Sequence, residues 1–153
     1  MKLFPWKKRK PLFNEEDSRL IVKAIRHAEQ RTSGEVRVFV ESRCSWVNAL
    51  DRAAEVFFTL KMDKTEQHNA TLVYVALKDR QVAVFGDSGI HQKVGEAYWN
   101  NVVTEMLESF NTDNYAKGIA DCVIQLGEAL KTHFSFERET DKNELPDEIV
   151  FGR

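Results

Sequence analysis

The feature that most constrains this chain is Leu72-Val-Tyr-Val-Ala-Leu77, a run of apolar residues without polar alternation. A strand with one wet face alternates, so a short unbroken apolar run reads as a central strand covered on both faces. Lys78-Asp-Arg-Gln81 then turns the chain into Val82-Ala-Val-Phe85, an antiparallel hairpin ended by Gly86. Such a sheet needs a layer on each side. Asn14 or Ser18 caps a first helix whose opening acids, Glu15, Glu16 and Asp17, suit the positive end of the helix dipole. Leu20, Ile21, Ala24, Ile25 and Ala28 recur there at helical spacing, up to about Arg31. Thr32-Ser-Gly34 supplies turn chemistry before a strand in which Val36, Val38 and Val40 alternate with polar or larger residues. A second helix carries Leu50, Ala53, Ala54, Phe57, Phe58 and Leu60, and two more are expected over residues 90–110 and 113–133. Gly118 and Gly127 in the last of these leave room for close packing. Residues 145–151 are expected as an edge strand or a docking tail.

At 153 residues one domain is the default, with 42% hydrophobic residues to build its core. All three prolines, Pro5, Pro11 and Pro146, lie in the terminal segments. This divides the chain into a basic arm over 1–11, an α/β domain over 12–136 and an acidic tail over 137–153, a tail that can dock back. Cys44 and Cys122 are far apart with no C-x-x-C partner, which reads as reduced thiols rather than a disulfide framework or zinc site. A net charge of -2 lacks the basic excess of a duplex DNA binder. The N-terminus has no apolar core of a secretory signal, and no apolar run reaches the ~20 residues that span a bilayer. The expectation is a cytoplasmic protein. Trp6 beside Lys7, Lys8, Arg9 and Lys10 gives the arm a route to a partner or to peripheral contact with an anionic membrane.

Topology restricts where a site can form. If the strands at Val36 and Leu72 are parallel through a right-handed crossover, both begin at one edge of the sheet. The hairpin strand returns there, so Thr32, Ser33, Gly34, Glu35, Glu66, His68, Asn69, Asp87, Ser88 and His91 are expected to gather at that edge. Gly86-Asp-Ser-Gly-Ile-His91 has three readings there. Asp87 can simply cap a helix. Asp87 and His91, with Glu35, Glu66 or Asn69, can hold a hard divalent cation such as calcium, magnesium or manganese, His68 and Ser88 supporting them. The glycine-rich amides can instead cradle a phosphate, which the Asp87 carboxylate opposes. Gly-Asp-Ser-Gly also surrounds the nucleophile of chymotrypsin-like proteases, but this chain has neither their strand count nor their length.

Four segments, Arg31-Thr-Ser-Gly-Glu-Val-Arg37, Asp63-Lys-Thr-Glu-Gln-His-Asn-Ala-Thr-Leu-Val-Tyr74, Gly86-Asp-Ser-Gly-Ile-His-Gln-Lys-Val94 and Asn143-Glu-Leu-Pro-Asp-Glu148, occur in order. Together they resemble the TPM domain family, in its short cytoplasmic bacterial subgroup, over roughly residues 12–152. The resemblance implies a three-layer α/β/α sandwich around a small mixed sheet. It also brings activities of relatives: acid phosphatase activity, calcium binding and modulation of acetylcholine receptors. Longer relatives carry Lys-Asp-Asn-Gly where this chain has Gln67-His-Asn-Ala70, which puts His68 at the place of an acid. The resulting expectation is a regulatory or interaction domain that binds a divalent cation, calcium first and magnesium as the alternative, at Asp87, Glu35, Glu66, Asn69 and His91. A protein partner is expected, with a LemA-like membrane-associated protein implied by the resemblance, and the location is the cytoplasm or the periphery of the inner membrane. The alternatives are a metal-assisted phosphatase using His91 or His68 to move a proton, and a metal-independent scaffold.

Overall fold

A computed structural model describes residues 13–135 and 148–152. The first helix, α1 (Glu15–Glu29), starts where the Asn14 side-chain oxygen accepts the Asp17 amide at 2.8 Å. Ser18 lies inside the helix. Ile21, Ala24, Ile25 and Ala28 are buried, but Leu20 sits on the flank of that stripe and is exposed. The helix leads through a turn into β1 (Glu35–Glu41), and Asn48 then caps α2 (Ala49–Thr59) through the Asp51 amide.

The central strand β2 (Ala70–Ala76) begins two residues before the apolar run and leaves Leu77 to the turn. It lies parallel to β1, with Glu35 beside Ala70 and Val40 beside Val75, and antiparallel to β3 (Gln81–Gly86). On the other side of β1, β4 (Val150–Phe151) pairs in parallel at Phe39 and Val40, giving the order β3-β2-β1-β4. The chain over 90–110 is two helices rather than one, α3 (Ser88–Val94) and α4 (Glu96–Asn111). The break is Gly95, whose φ of +80 lies in the region that side-chain-bearing residues avoid. The last helix is α5 (Tyr115–His133). It packs tightly on α1, because a Cβ at Gly127 would stand 2.6 Å from that of Ala28.

Two apolar clusters follow from this three-layer α/β/α arrangement. On one face Val36, Val38, Val40, Val73, Val75, Val82 and Val84 meet α1, α3, α4 and α5. On the other, Phe39, Leu72, Tyr74 and Ala83 meet Ala53, Val56 and Phe57 of α2. Helices on both faces explain why the 72–77 run does not alternate. The second face has a single helix to cover it, so Leu50 and Phe58 at the flanks of α2 remain 55% and 54% exposed instead of joining the core.

Candidate functional site at the strand edge

β1 and β2 begin at the same edge, and β3 ends there. Asp87 follows β3 directly, and its amide still pairs with the Ala70 carbonyl at 2.9 Å. It is the N-cap of α3: one carboxylate oxygen accepts the Ser88 amide at 2.7 Å. The other oxygen lies 3.1 Å from Nδ1 of His68, which comes from the loop before β2. An ionised carboxylate only accepts, so His68 Nδ1–H donates and its Nε2 is left for solvent or a ligand. The Asp87 side chain is largely enclosed and the His68 side chain is 55% exposed.

Backbone packing holds this pair together. A Cβ on Gly89 would stand 2.2 Å from the Gln67 carbonyl oxygen and 2.6 Å from that of His68. Only glycine lets the first turn of α3 lie directly on the 67–68 loop. His68 itself takes a left-handed φ of 50 to make that bend.

The other expected residues divide. His91 accepts the Trp99 indole N–H on Nδ1 at 2.9 Å. An indole only donates, so the neutral His91 ring carries its proton on Nε2. Asn69 is buried, its amide donating to Thr65 Oγ1 at 3.3 Å and its carbonyl accepting the Glu35 amide. Glu66 is exposed on the loop. The Glu35 side chain is buried on the face that α2 covers, two residues from Arg37, whereas α3 lies on the opposite face. Burial draws the Arg37 guanidinium below its usual value against the opposing pull of Glu29, Glu148 and Glu35. Thr32 turns its hydroxyl to the Phe134 carbonyl and Ser33 donates its amide to the same oxygen, so this turn serves the end of α5. Among the described residues no group of three or more His, Cys, Asp or Glu is arranged to hold a metal ion. Asp87 and His68 are the expected residues whose side chains meet. Trp6, Lys7, Lys8, Arg9 and Lys10 lie outside the described residues, as does the tail from 137 to 147.

Sequence reasoning assigned nothing to the opposite end of β1. There Arg52 of α2 grips the buried Glu41 carboxylate with Nε and Nη2, at 2.9 and 3.1 Å, and the Tyr74 hydroxyl donates to the same carboxylate. Burial would raise the Glu41 carboxyl, but the hydrogen bonds from Arg52 and Tyr74 outweigh it and hold the group below its usual range. Burial and the adjacent carboxylate push the Tyr74 phenol up. The alternation of β1 was the available signal, since it places Glu41 on the face of Phe39 and, by register, of Tyr74. Of the two thiols, Cys122 is fully buried and pushed up to about 12, which makes it inert.

The TPM domain family matches residues 8–129, most of the chain. This chain belongs to the TPM domain family. It is similar over 95% of its length, at 36% identity and a TM-score of 0.86, to the NMR structure of BA42 protein from the psychrophilic bacterium Bizionia argentinensis, 99% of which is covered. The N-terminal domain of a P. gingivalis protein shares the fold at 16% identity and a TM-score of 0.66, with 82% of this chain and 83% of that one covered. A Corynebacterium glutamicum N-terminal domain does so at 12% identity and 0.56, covering 80% and 85%. No protein of curated function matches the chain. No described helix of this TPM domain is long and apolar enough to cross a membrane.

Proposed function

We propose that this TPM domain is a regulatory interaction module in which a divalent cation, calcium before magnesium, competes with His68 for the Asp87 carboxylate. The observation that carries the reading is the single hydrogen bond joining two separate loops through Asp87 and His68. The side chains as arranged do not form an acidic cage, so such a cation would take Asp87 and draw its remaining oxygens from loop carbonyls and water. Taking Asp87 from His68 would release the 66–69 loop and alter the surface offered to a protein partner. A LemA-like partner in the cytoplasm, or at the inner membrane surface, belongs to the same proposal and rests on family resemblance. Isothermal titration of metal-stripped protein tests it: Asp87→Asn should weaken calcium binding at least about tenfold. Equal affinity in the two proteins would reject the assignment.

The same geometry supports a second reading as a phosphatase. His68, oriented by Asp87, has the arrangement of a proton carrier with one nitrogen exposed. Turnover of a phosphate ester that is lost in both Asp87→Ala and His68→Ala would favour it.

A further inference from the structure

We infer that Trp99 of α4 is the positioning residue of the strand edge: it braces the chain on both sides of Asp87 and so keeps the bond to His68 in place. Its indole N–H donates to Nδ1 of His91 at 2.9 Å, and His91 stands one helical turn after Asp87, whose carbonyl accepts the His91 amide. The outer edge of the same indole lies on Gly86, the residue before Asp87. A Cβ there would meet Cζ2 and Cη2 of Trp99 at 2.4 and 2.6 Å.

The break at Gly95 makes such a brace necessary. It interrupts the run of helical bonds between α3 and α4, so side chains have to set the angle at which α3 presents Asp87. Among the described residues, the bond from Trp99 to His91 is the side-chain hydrogen bond that crosses the break. Trp99 itself is firmly seated. It is 8% exposed, its ring meets that of Tyr98 edge to face with centroids 5.3 Å apart, and the Tyr98 hydroxyl donates to the Gln125 carbonyl of α5 at 3.3 Å. The brace therefore has its footing in α4 and α5 and not in the segments it holds.

Two imidazoles record the effect. His91 accepts from an indole, which fixes its proton on Nε2, whereas His68 donates to the Asp87 carboxylate, which fixes its proton on Nδ1. Withdrawing Trp99 frees the first ring directly. It frees the second only if Asp87 shifts, and a residue that merely filled the core would leave Asp87 where it is. Packing and positioning therefore differ in what they do to His68, which belongs to a separate loop. The consequence for His68 stands on geometry alone, while a consequence for cation affinity rests on the function proposed above.

The test is imidazole and amide NMR of the full chain stripped of metal, followed by calcium titration of the same samples. Trp99→Phe keeps an aromatic ring in the core but has neither the N–H nor the outer ring that meets Gly86. It should abolish the Nδ1–H preference of His68, shift amides over 66–69 and 86–91, and weaken calcium binding about tenfold. His91→Leu removes the same hydrogen bond at an exposed position, where folding is not at stake. It should move His68 in the same direction and weaken calcium about threefold. His91→Asn keeps an acceptor at the δ position and should hold His68 as the wild type does. An unchanged His68 ring in both Trp99→Phe and His91→Leu, with shifts confined to α4, would overturn the proposal. Absence of calcium binding in wild-type protein, or equal binding by every variant while His68 changes, would count against the cation reading alone, because His68 in the metal-free protein still decides on Trp99.

Discussion

The two ends of the sheet are built in opposite ways. Where β1 and β2 begin, Asp87 and His68 satisfy each other and Gly89 lies so close to the 67–68 backbone that it has no room for a methyl group. Where they end, a buried Glu41–Arg52–Tyr74 network anchors α2, and Trp46 stands beyond it in solvent. The difference lies in what each end is tied to. The first end ties the Asp87 carboxylate to the 67–68 loop, so under the proposed function a cation taken there would change loop structure. The second isolates its exposed ring from the core, so covering it changes nothing beneath.

Glu41→Ala should produce the largest effect, because it leaves the buried Tyr74 hydroxyl without its acceptor and takes from the half-buried Arg52 one of its two carboxylate partners, Glu55 remaining. A loss of about 2–4 kcal/mol in chemical denaturation is expected at neutral pH. Its acid dependence follows from the lowered carboxyl. As pH falls below the ordinary value of 4.5, the unfolded chain takes the proton first. The network's contribution is therefore whole above about pH 4.5 and is lost as pH drops through the lower folded value. Denaturation curves across that range should be flatter for Glu41→Gln than for wild type; parallel curves would remove Glu41 from the account.

Gly89→Ala should break the other end at a cost of about 1–3 kcal/mol, since the obstructing atoms are backbone oxygens that cannot rotate away. Amide shifts should centre on 66–69 and 87–91. Retention of wild-type stability and spectra would show that the two loops are not coupled. Trp46→Gly should have the smallest effect and the opposite sign, or none. It relieves a left-handed φ and removes no packing, so thermal or chemical denaturation should show a gain of at most about 1 kcal/mol, offset in part by the freer unfolded chain. A clear loss would mean that Trp46 belongs to the core.

The contrast was unevenly legible in the amino-acid sequence. The 72–77 run revealed a two-sided sheet because burial on both faces removes alternation. Crossover handedness brought the loops around Asn69 and Asp87 to one edge before any distance was known. What topology could not resolve was the side of the sheet, and so Glu35 was grouped with Asp87 although its side chain lies on the face that α2 covers. The helix break at Gly95 was hidden because apolar spacing runs across it, and only a single φ interrupts the helix. Leu50 and Phe58 carried a core-like pattern, yet one helix cannot bury its whole apolar surface on a face it covers alone. Trp46 gave no periodic signal at all. Its prominence comes from loop bonds to Asp79, 33 positions away in the chain.

The central claim, that the Asp87–His68 end is the responsive one, is tested most directly by amide NMR of metal-stripped protein titrated with calcium, with magnesium in parallel. The account predicts saturable shifts confined to residues 66–69 and 87–91, while 43–50 and 77–80 stay still. Saturable shifts elsewhere, or none with either cation, would contradict it.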